Sequence, residues 1–398
     1  MQTAFVAFLP AAREGRANGL DTLRAVAISL VFAYHYMVFV SREETFGWAS
    51  VVGWVGVDLF FVLSGYLIAN QLFAGLARGE RLSLGAFYAR RALRTLPVFW
   101  FVLALYFIFP QVMGGRAPPP LWAFLTFTQN FGLVPGTAFS HAWSLCIEEQ
   151  FYLVLPLALV AAGRFAQRRV LAWAALLALL ALGVVARAVL WHIYGRESTG
   201  HLDGYYPQIY YATLCRFDEF LPGVAVALLK NFHRPLWARI VGHGQRVFAA
   251  GLLASGGMLF AVHQHYFIDG YGYGFFMTAF GYSLVAMAFA LLVVAALSPG
   301  CWLQRVRIPG AQALALWSYS IYLSHKAIAT ILHAELAPLG LPAALMPATI
   351  VAVSVAAGWL LYRCIEMPFM ALRERHVPGL FARTPGHPRS VPAQPGSR

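Results

Sequence analysis

Ten stretches of mostly apolar residues, each close to the length of a membrane span, follow one another along this 398-residue chain. They run approximately over 20–41, 51–72, 94–110, 142–162, 169–192, 207–229, 247–266, 275–297, 311–333 and 343–363. A bilayer core about 30 Å thick takes roughly 20 apolar helical residues to cross. Only 11% of the residues are charged and 60% are hydrophobic, whereas soluble domains carry about 25% charge. The chain therefore reads as an all-α integral membrane protein of about ten transmembrane helices, with the bilayer as its first partner.

Net charge is +13, which raises the question of nucleic acid, but the placement of the charges answers it. With the N-terminus in the cytoplasm, 22 of the 29 lysines and arginines fall in the inner segments. The outer loops hold only Arg42, Arg116 and Arg196. That bias is the positive-inside rule, so the basic balance needs no nucleic-acid partner, and both termini are expected on the cytoplasmic side. The first apolar stretch is short, lacks basic residues before it and runs into Arg13, Glu14 and Arg16. A cleavable signal peptide is not expected from that pattern. Cys146, Cys215, Cys301 and Cys364 stand apart with no metal-ligand spacing, so neither a disulfide framework nor a metal site is expected.

Between the third and fourth spans lies LWAFLTFTQNF, apolar but too short to cross, and it is predicted to be re-entrant. Irregular backbone at that depth survives only where protein or a water-filled cavity satisfies it. The stretch from Thr384 onward is rich in Pro and small polar residues and reads as disordered. The expected division is a cytoplasmic segment over 1–19, a transmembrane domain over 20–372 and a cytoplasmic, disordered tail over 373–398. No internal repeat of the kind found in many transporters is visible.

Polar residues within the spans are few and clustered. Arg24 and His35 are eleven residues apart in the first span, close to three helical turns, so they share one face with roughly 16 Å of rise between them. That puts Arg24 near one membrane surface and His35 near the bilayer centre, where an ionisable group is costly and marks a functional site. The second span, GVDLFFVLSGYLIAN, carries Asp58, Ser64 and small glycines that allow close helix packing. FYARRALRTLP places Arg90, Arg91 and Arg94 at the inner end of the third, Arg90 and Arg94 on one face and Arg91 facing elsewhere. FSHAWSLCIEEQFY puts His141, Trp143, Ser144, Glu148 and Glu149 toward the outer end of the fourth. The sixth holds Arg216, Asp218 and Glu219; the ninth holds Tyr319, Tyr322 and His325.

These segments resemble the membrane-bound acyltransferase-3 family. The resemblance rests on the Arg24/His35 spacing and the GVDLFFVLSGYLI, RRALRTLP, HAWSLCIEEQFY and YSIYLSH segments, with Glu366-Met367-Pro368 closing the last helix. It runs from about Gly19 to Phe369, with two departures. Cys146-Ile147 stand where the family often has Ser and Val, and Lys326 stands where an aromatic residue is frequent. The resemblance implies transfer of an acyl group, commonly acetyl, from cytosolic acyl-CoA to a hydroxyl of a glycan, glycolipid or glycosylated natural product. It implies a cell membrane of the bacterial inner-membrane kind as the location and no metal. The family's first-helix pair carries over to Arg24 and His35, and its inner-face arginines to Arg90, Arg91 and Arg94.

Acyl chemistry agrees with those residue types. A thioester needs a hydroxyl, a base for its proton and a donor for the developing oxyanion. An imidazole titrates near neutral pH and suits the base, here His35. Guanidinium groups match the phosphates of CoA. His141, Trp143, Ser144, Glu148, Glu149, Arg216, Tyr322 and His325 are the candidates for binding the acceptor. Asp58 serves either in catalysis or as a structural partner of Arg24 or His35. Arg216 with Asp218 or Glu219 also fits a plain internal ion pair, and the inner arginines also fit a purely topogenic role. Direct transfer and a covalent acyl-histidine both satisfy the chemistry. A proton-coupled transporter or acyl-group conduit is the rival class, because intramembrane Arg, His and acids suit it too. His192, His201, His263 and His265 read as loop or interface residues.

Overall fold

The computed structural model describes residues 18–163, 168–196 and 204–382. Arg13, Glu14, Arg16, Glu197, His201, Asp203 and the Pro-rich stretch from Thr384 lie outside the described residues. Ten principal helices follow the apolar stretches: α1 Asn18–Tyr36, α2 Gly56–Ala77, α3 Leu84–Ile108, α4 Trp143–Ala162, α5 Arg169–Tyr194, α6 Leu221–Phe232, α7 Gly244–His265, α8 Tyr282–Ala296, α9 Ala311–Leu336 and α10 Leu345–Leu361. Among the described residues eight helical segments are long and apolar enough to cross a bilayer. The protein is thus an all-α, multi-pass membrane protein.

The two stretches outside those eight fail for different reasons. Helix α9 is long, but its polar Ser318, Ser320, Tyr322, Ser324, His325 and Lys326 are all turned inward and buried. The sixth stretch, expected as one span over 207–229, is broken. It comprises a π-turn at Tyr206–Tyr210, short helical turns at Thr213–Arg216 and Phe217–Phe220, and then α6. Arginine side chains take the carbonyls that a continuous helix would have used. Arg216 Nη1 donates to Tyr210 O at 3.1 Å and Arg187 Nη1 to Cys215 O at 2.5 Å. Irregular backbone survives here because protein groups satisfy it.

Helices α2 and α8 are the most buried and form the centre of the bundle. Helix α5, by contrast, leaves Leu171, Leu177, Leu182, Val185 and Val189 exposed, as a lipid-facing helix does. The α2–α6 contact is made by glycine: a β-carbon at Gly65 would strike the Phe220 carbonyl, and one at Gly223 would strike that of Val62. Backbone contact of this kind drives helix association where no hydrophobic effect operates between helices. Gly223→Ala is expected to cost about 1–3 kcal/mol through overpacking and to lower the melting temperature of the detergent-solubilised protein. Gly257→Ala, in open space on α7, serves as the control that loses nothing.

The apolar stretch after α3 forms a single turn, Leu121–Leu125, and then irregular chain. Its polar end docks on the broken sixth segment and on α4: Asn130 Nδ2 donates to Tyr211 O at 3.0 Å, and Gln150 Nε2 donates to Asn130 Oδ1 at 3.1 Å. After α10 a π-turn, Tyr362–Glu366, leads into α11, Met367–His376. Four short strands complete the fold: β1 Arg81–Leu82, β2 Phe267–Ile268, β3 Gly272–Tyr273 and β4 Phe381–Ala382. Strand β4 pairs with β1, so residues 373–382, expected in the tail, continue the ordered chain back across the α2–α3 connection.

Candidate active site

Three helices share one arrangement. Each lines a common cavity near one end and carries, or directly follows, a histidine farther along. Helix α1 supplies Arg24 to the cavity and His35 eleven residues on. Helix α9 supplies Ser318, Tyr319 and Tyr322, with His325 one turn beyond. Helix α4 supplies Ser144, Glu148 and Tyr152, and His141 sits in the 3-10 turn just before it. At 1.5 Å of rise per residue the cavity and the histidines occupy successive levels of the bundle.

The cavity holds about 770 Å³. Arg24, Arg78, Arg90, Arg91, Arg94 and Arg373 line it, against one acid, Glu148. Helix α3 begins at Leu84, ten residues before the expected span, with Ser83 Oγ accepting from the Ala86 N–H at 3.3 Å. Arg90, Arg91 and Arg94 therefore stand on a helix rather than in a loop. Arg91, expected to face elsewhere, also lines the cavity, and its guanidinium lies 3.9 Å over the Tyr152 ring. Arg90 is tied at the mouth to Glu374 at 2.8 Å and to Val377 O at 3.1 Å. Arg94 Nη1 reaches Met370 Sδ at 3.8 Å. Leu380 and Phe381 of the returning chain cover part of the mouth.

At the far end Tyr322 is the dividing wall. Its hydroxyl donates to His141 O at 2.5 Å, so its oxygen is left to accept from Ser144 Oγ at 2.6 Å. This pair fastens α9 to the start of α4. Phe139, two residues before His141, adopts a left-handed backbone with φ 58°, which costs a non-glycine residue about 1–3 kcal/mol. Its fully buried ring, stacked on Tyr106 at 4.7 Å, holds that turn.

Beyond the wall His35, His141 and His325 meet. His325 Nδ1 lies 3.0 Å from Ile321 O and 2.9 Å from Tyr322 O, and carbonyls only accept, so Nδ1 carries the hydrogen. In the neutral ring Nε2 then accepts from His35 Nδ1 at 2.7 Å. His35 is left with its lone pair on Nε2. The same logic applies to His141, whose Nε2 donates to Leu323 O at 3.3 Å while its buried Nδ1 has no partner. The His141 ring stands edge-on to both others, at 5.9 and 5.5 Å. The cluster thus presents two imidazole lone pairs. A π-turn, Met37–Ser41, begins two residues after His35, and such turns are frequent at functional sites. Among the described residues no group of His, Cys, Asp and Glu is arranged to hold a metal ion.

Other expected site residues lie elsewhere. Asp58 holds neither Arg24 nor His35: its Oδ1 accepts from Arg216 Nη2 at 2.5 Å, and Arg216 Nε donates to Glu219. Asp218 pairs with Arg187 instead, at 2.6 Å. Trp143 packs 5.0 Å from the Arg216 guanidinium. Arg216 and Trp143, expected at the acceptor, thus belong to a buried ion cluster away from the cavity lining. Glu148, also expected with the acceptor, lines the arginine cavity and accepts from the Tyr152 hydroxyl at 2.9 Å. Glu149, its neighbour, does not line that cavity. Ser64, noted with Asp58 in the second span but given no role, also lines the cavity, whereas Arg78, Tyr152 and Arg373 were not anticipated. Arg373 had no signal beyond its charge.

Comparison with known proteins adds the family context. The sequence model of a family described as "Acyltransferase domain" matches residues 17–363. The chain is 31% identical over 232 residues to peptidoglycan O-acetyltransferase OatA of Listeria monocytogenes, covering 54% of this chain and 34% of the relative. It is 34% identical over 229 residues to the putative peptidoglycan O-acetyltransferase YrhL of Bacillus subtilis, covering 53% and 33%. For the O-acetyltransferase OatA of Staphylococcus aureus the identity is 29% over 229 residues, covering 53% and 34%. The match thus spans about a third of the length of these curated relatives. No solved structure matches the chain.

Proposed function

The chain belongs to the acyltransferase-domain family whose model spans residues 17–363, and from that premise we propose that it is a membrane O-acyltransferase. It moves an acyl group, commonly acetyl, from acyl-CoA to a hydroxyl of a glycan or glycolipid acceptor, in a cell membrane of the bacterial inner-membrane kind. The observation that carries this reading is the cavity lined by six arginines that ends on Tyr322 and Ser144, with the histidine cluster directly behind them.

Arginines suit the phosphates of CoA through paired N–H donors. The thioester arm extends along the cavity toward Tyr322. His35 Nε2 removes the acceptor hydroxyl's proton as the oxygen attacks the acyl carbon. The C–O bond forms, the C–S bond breaks, and the proton returns to the CoA thiolate. His325 orients His35 by accepting from Nδ1, a positioning role, and Tyr322 holds His141 at the meeting point. The O-acetyltransferase names of the relatives support the acetyl group and a cell-wall glycan as the class of acceptor.

The deciding experiment measures CoA thiol release and labelled-acetyl transfer in membrane vesicles with candidate glycans or cell extract as acceptor. Transfer that depends on added acetyl-CoA supports the reading. Movement of labelled acceptor across the vesicle without CoA release would sink it in favour of a conduit. Among the cavity arginines Arg94 gives the cleanest test of donor binding, because its hydrogen bond to Met370 is a weak one to sulfur. A hydrogen bond to a charged group is worth about 1.5–3 kcal/mol, so Arg94→Ala is expected to raise KM for acetyl-CoA roughly tenfold or more. Its kcat at saturating donor should stay within about threefold of the wild type. An unchanged KM would assign Arg94 to topology alone.

A further inference from the structure

Among the described residues, the fully buried arginines come with their anions, and Lys326 does not. Arg187 is fully buried and paired with Asp218; Arg216 is fully buried and shared between Asp58 and Glu219. Lys326 is 7% exposed, and none of the ion pairs among the described residues includes it. Its ammonium reaches Ser140 Oγ at 3.2 Å and Thr137 O at 3.4 Å, and lies 4.2 Å from the centre of the Phe39 ring. These neutral contacts are long and leave the positive charge without a counter-ion. Charged groups inside a membrane protein pair with one another or mark the path of a substrate.

The position of Lys326 says which substrate. It follows His325 directly on α9, on the side of the histidines away from Tyr319 and Tyr322, which line the arginine cavity. Phe39 bridges it to the base: the same ring that sits under the ammonium is 5.3 Å from the His35 ring. Charge and base therefore both lie against the Phe39 ring, on the side of the histidines away from the arginine cavity.

We propose that Lys326 binds an anionic substituent, a carboxylate or phosphate, on the acceptor, so that this enzyme favours acidic sugars over neutral ones. The proposal rests on the acyltransferase reading for the word acceptor, but its test does not require acyl transfer. Binding of D-glucuronate, D-glucose 6-phosphate and D-glucose to the full chain in nanodiscs would be measured by calorimetry, for wild type, Lys326→Met and Lys326→Arg. Glucuronate or glucose 6-phosphate should bind at least tenfold more tightly than glucose, and whichever binds better identifies the anion. Lys326→Met should erase that preference, and Lys326→Arg should retain most of it.

Equal binding of all three sugars to the wild type, or no binding of any, would overturn the proposal. So would a Lys326→Met protein that still prefers the anion. Melting temperatures of the two variants report folding separately. If anion binding through Lys326 holds while acetyl-CoA is never consumed, the acyltransferase reading fails and the anion site stands. If transfer to a neutral glycan proceeds while no anion preference exists, the reverse is true.

Discussion

Replacing His35 by asparagine is expected to lower the rate of acetyl transfer by about 10²–10⁴-fold, the usual contribution of a positioned general base. Asparagine places its Nδ2–H near the position of the imidazole Nδ1, so the 2.7 Å link to His325 Nε2 between α1 and α9 survives. What it lacks is a basic nitrogen. The variant should therefore fold and bind acetyl-CoA as the wild type does, with the loss confined to kcat. His325→Leu is expected to act more mildly, because it leaves His35 chemically intact and only frees its ring to turn. The check is single-turnover acetyl transfer in vesicles with protein levels matched by detergent-extracted monomer signal. A His35→Asn protein that transfers acetyl at the wild-type rate would move the base to His141, whose Nδ1 is the other imidazole lone pair in the cluster.

His35 was legible in the sequence because helical geometry is local: an eleven-residue spacing puts Arg24 and His35 on one face whatever surrounds them. Eight of the ten expected spans were legible for a similar reason, each stretch declaring its own apolarity. What could not be read were contacts between distant elements. His35 and His325 are 290 residues apart, and no pattern in either helix states that one ring holds the other. The break in the sixth span was invisible because its cause lies on α5, where Arg187 takes the Cys215 carbonyl. Glu148 sits two turns down α4 from His141 and lines the arginine-rich cavity, a placement that motif order alone does not reveal. Helical-face reasoning ranked Arg91 behind Arg90 and Arg94 among the donor candidates, yet the cavity is wide enough to receive all three.

Removing Arg216 is expected to do the most damage to the fold. Its guanidinium bonds to Asp58, Glu219 and the Tyr210 carbonyl at once, and it lies 4.3 Å from the Tyr282 ring centre and 5.0 Å from that of Trp143. Arg216→Met would leave two carboxylates facing each other in a dry site and a broken helix with an unmet carbonyl. Breaking a buried pair from one side costs about 3–5 kcal/mol, enough to remove most folded protein from the membrane. Arg216→Lys should fare little better, since one ammonium cannot reproduce the planar fork that spans three acceptors. Removing the charges together, with Arg216→Met, Asp58→Asn and Glu219→Gln in one chain, should recover a large part of the loss, because no ion is then stranded. Melting of the detergent-solubilised variants reads this order directly. Asp58→Asn alone separates the two readings of that residue. Its amide oxygen still accepts from Arg216, so a structural Asp58 predicts a modest fall in melting temperature with transfer retained. A variant that melts normally but loses transfer a hundredfold would instead place Asp58 in the chemistry.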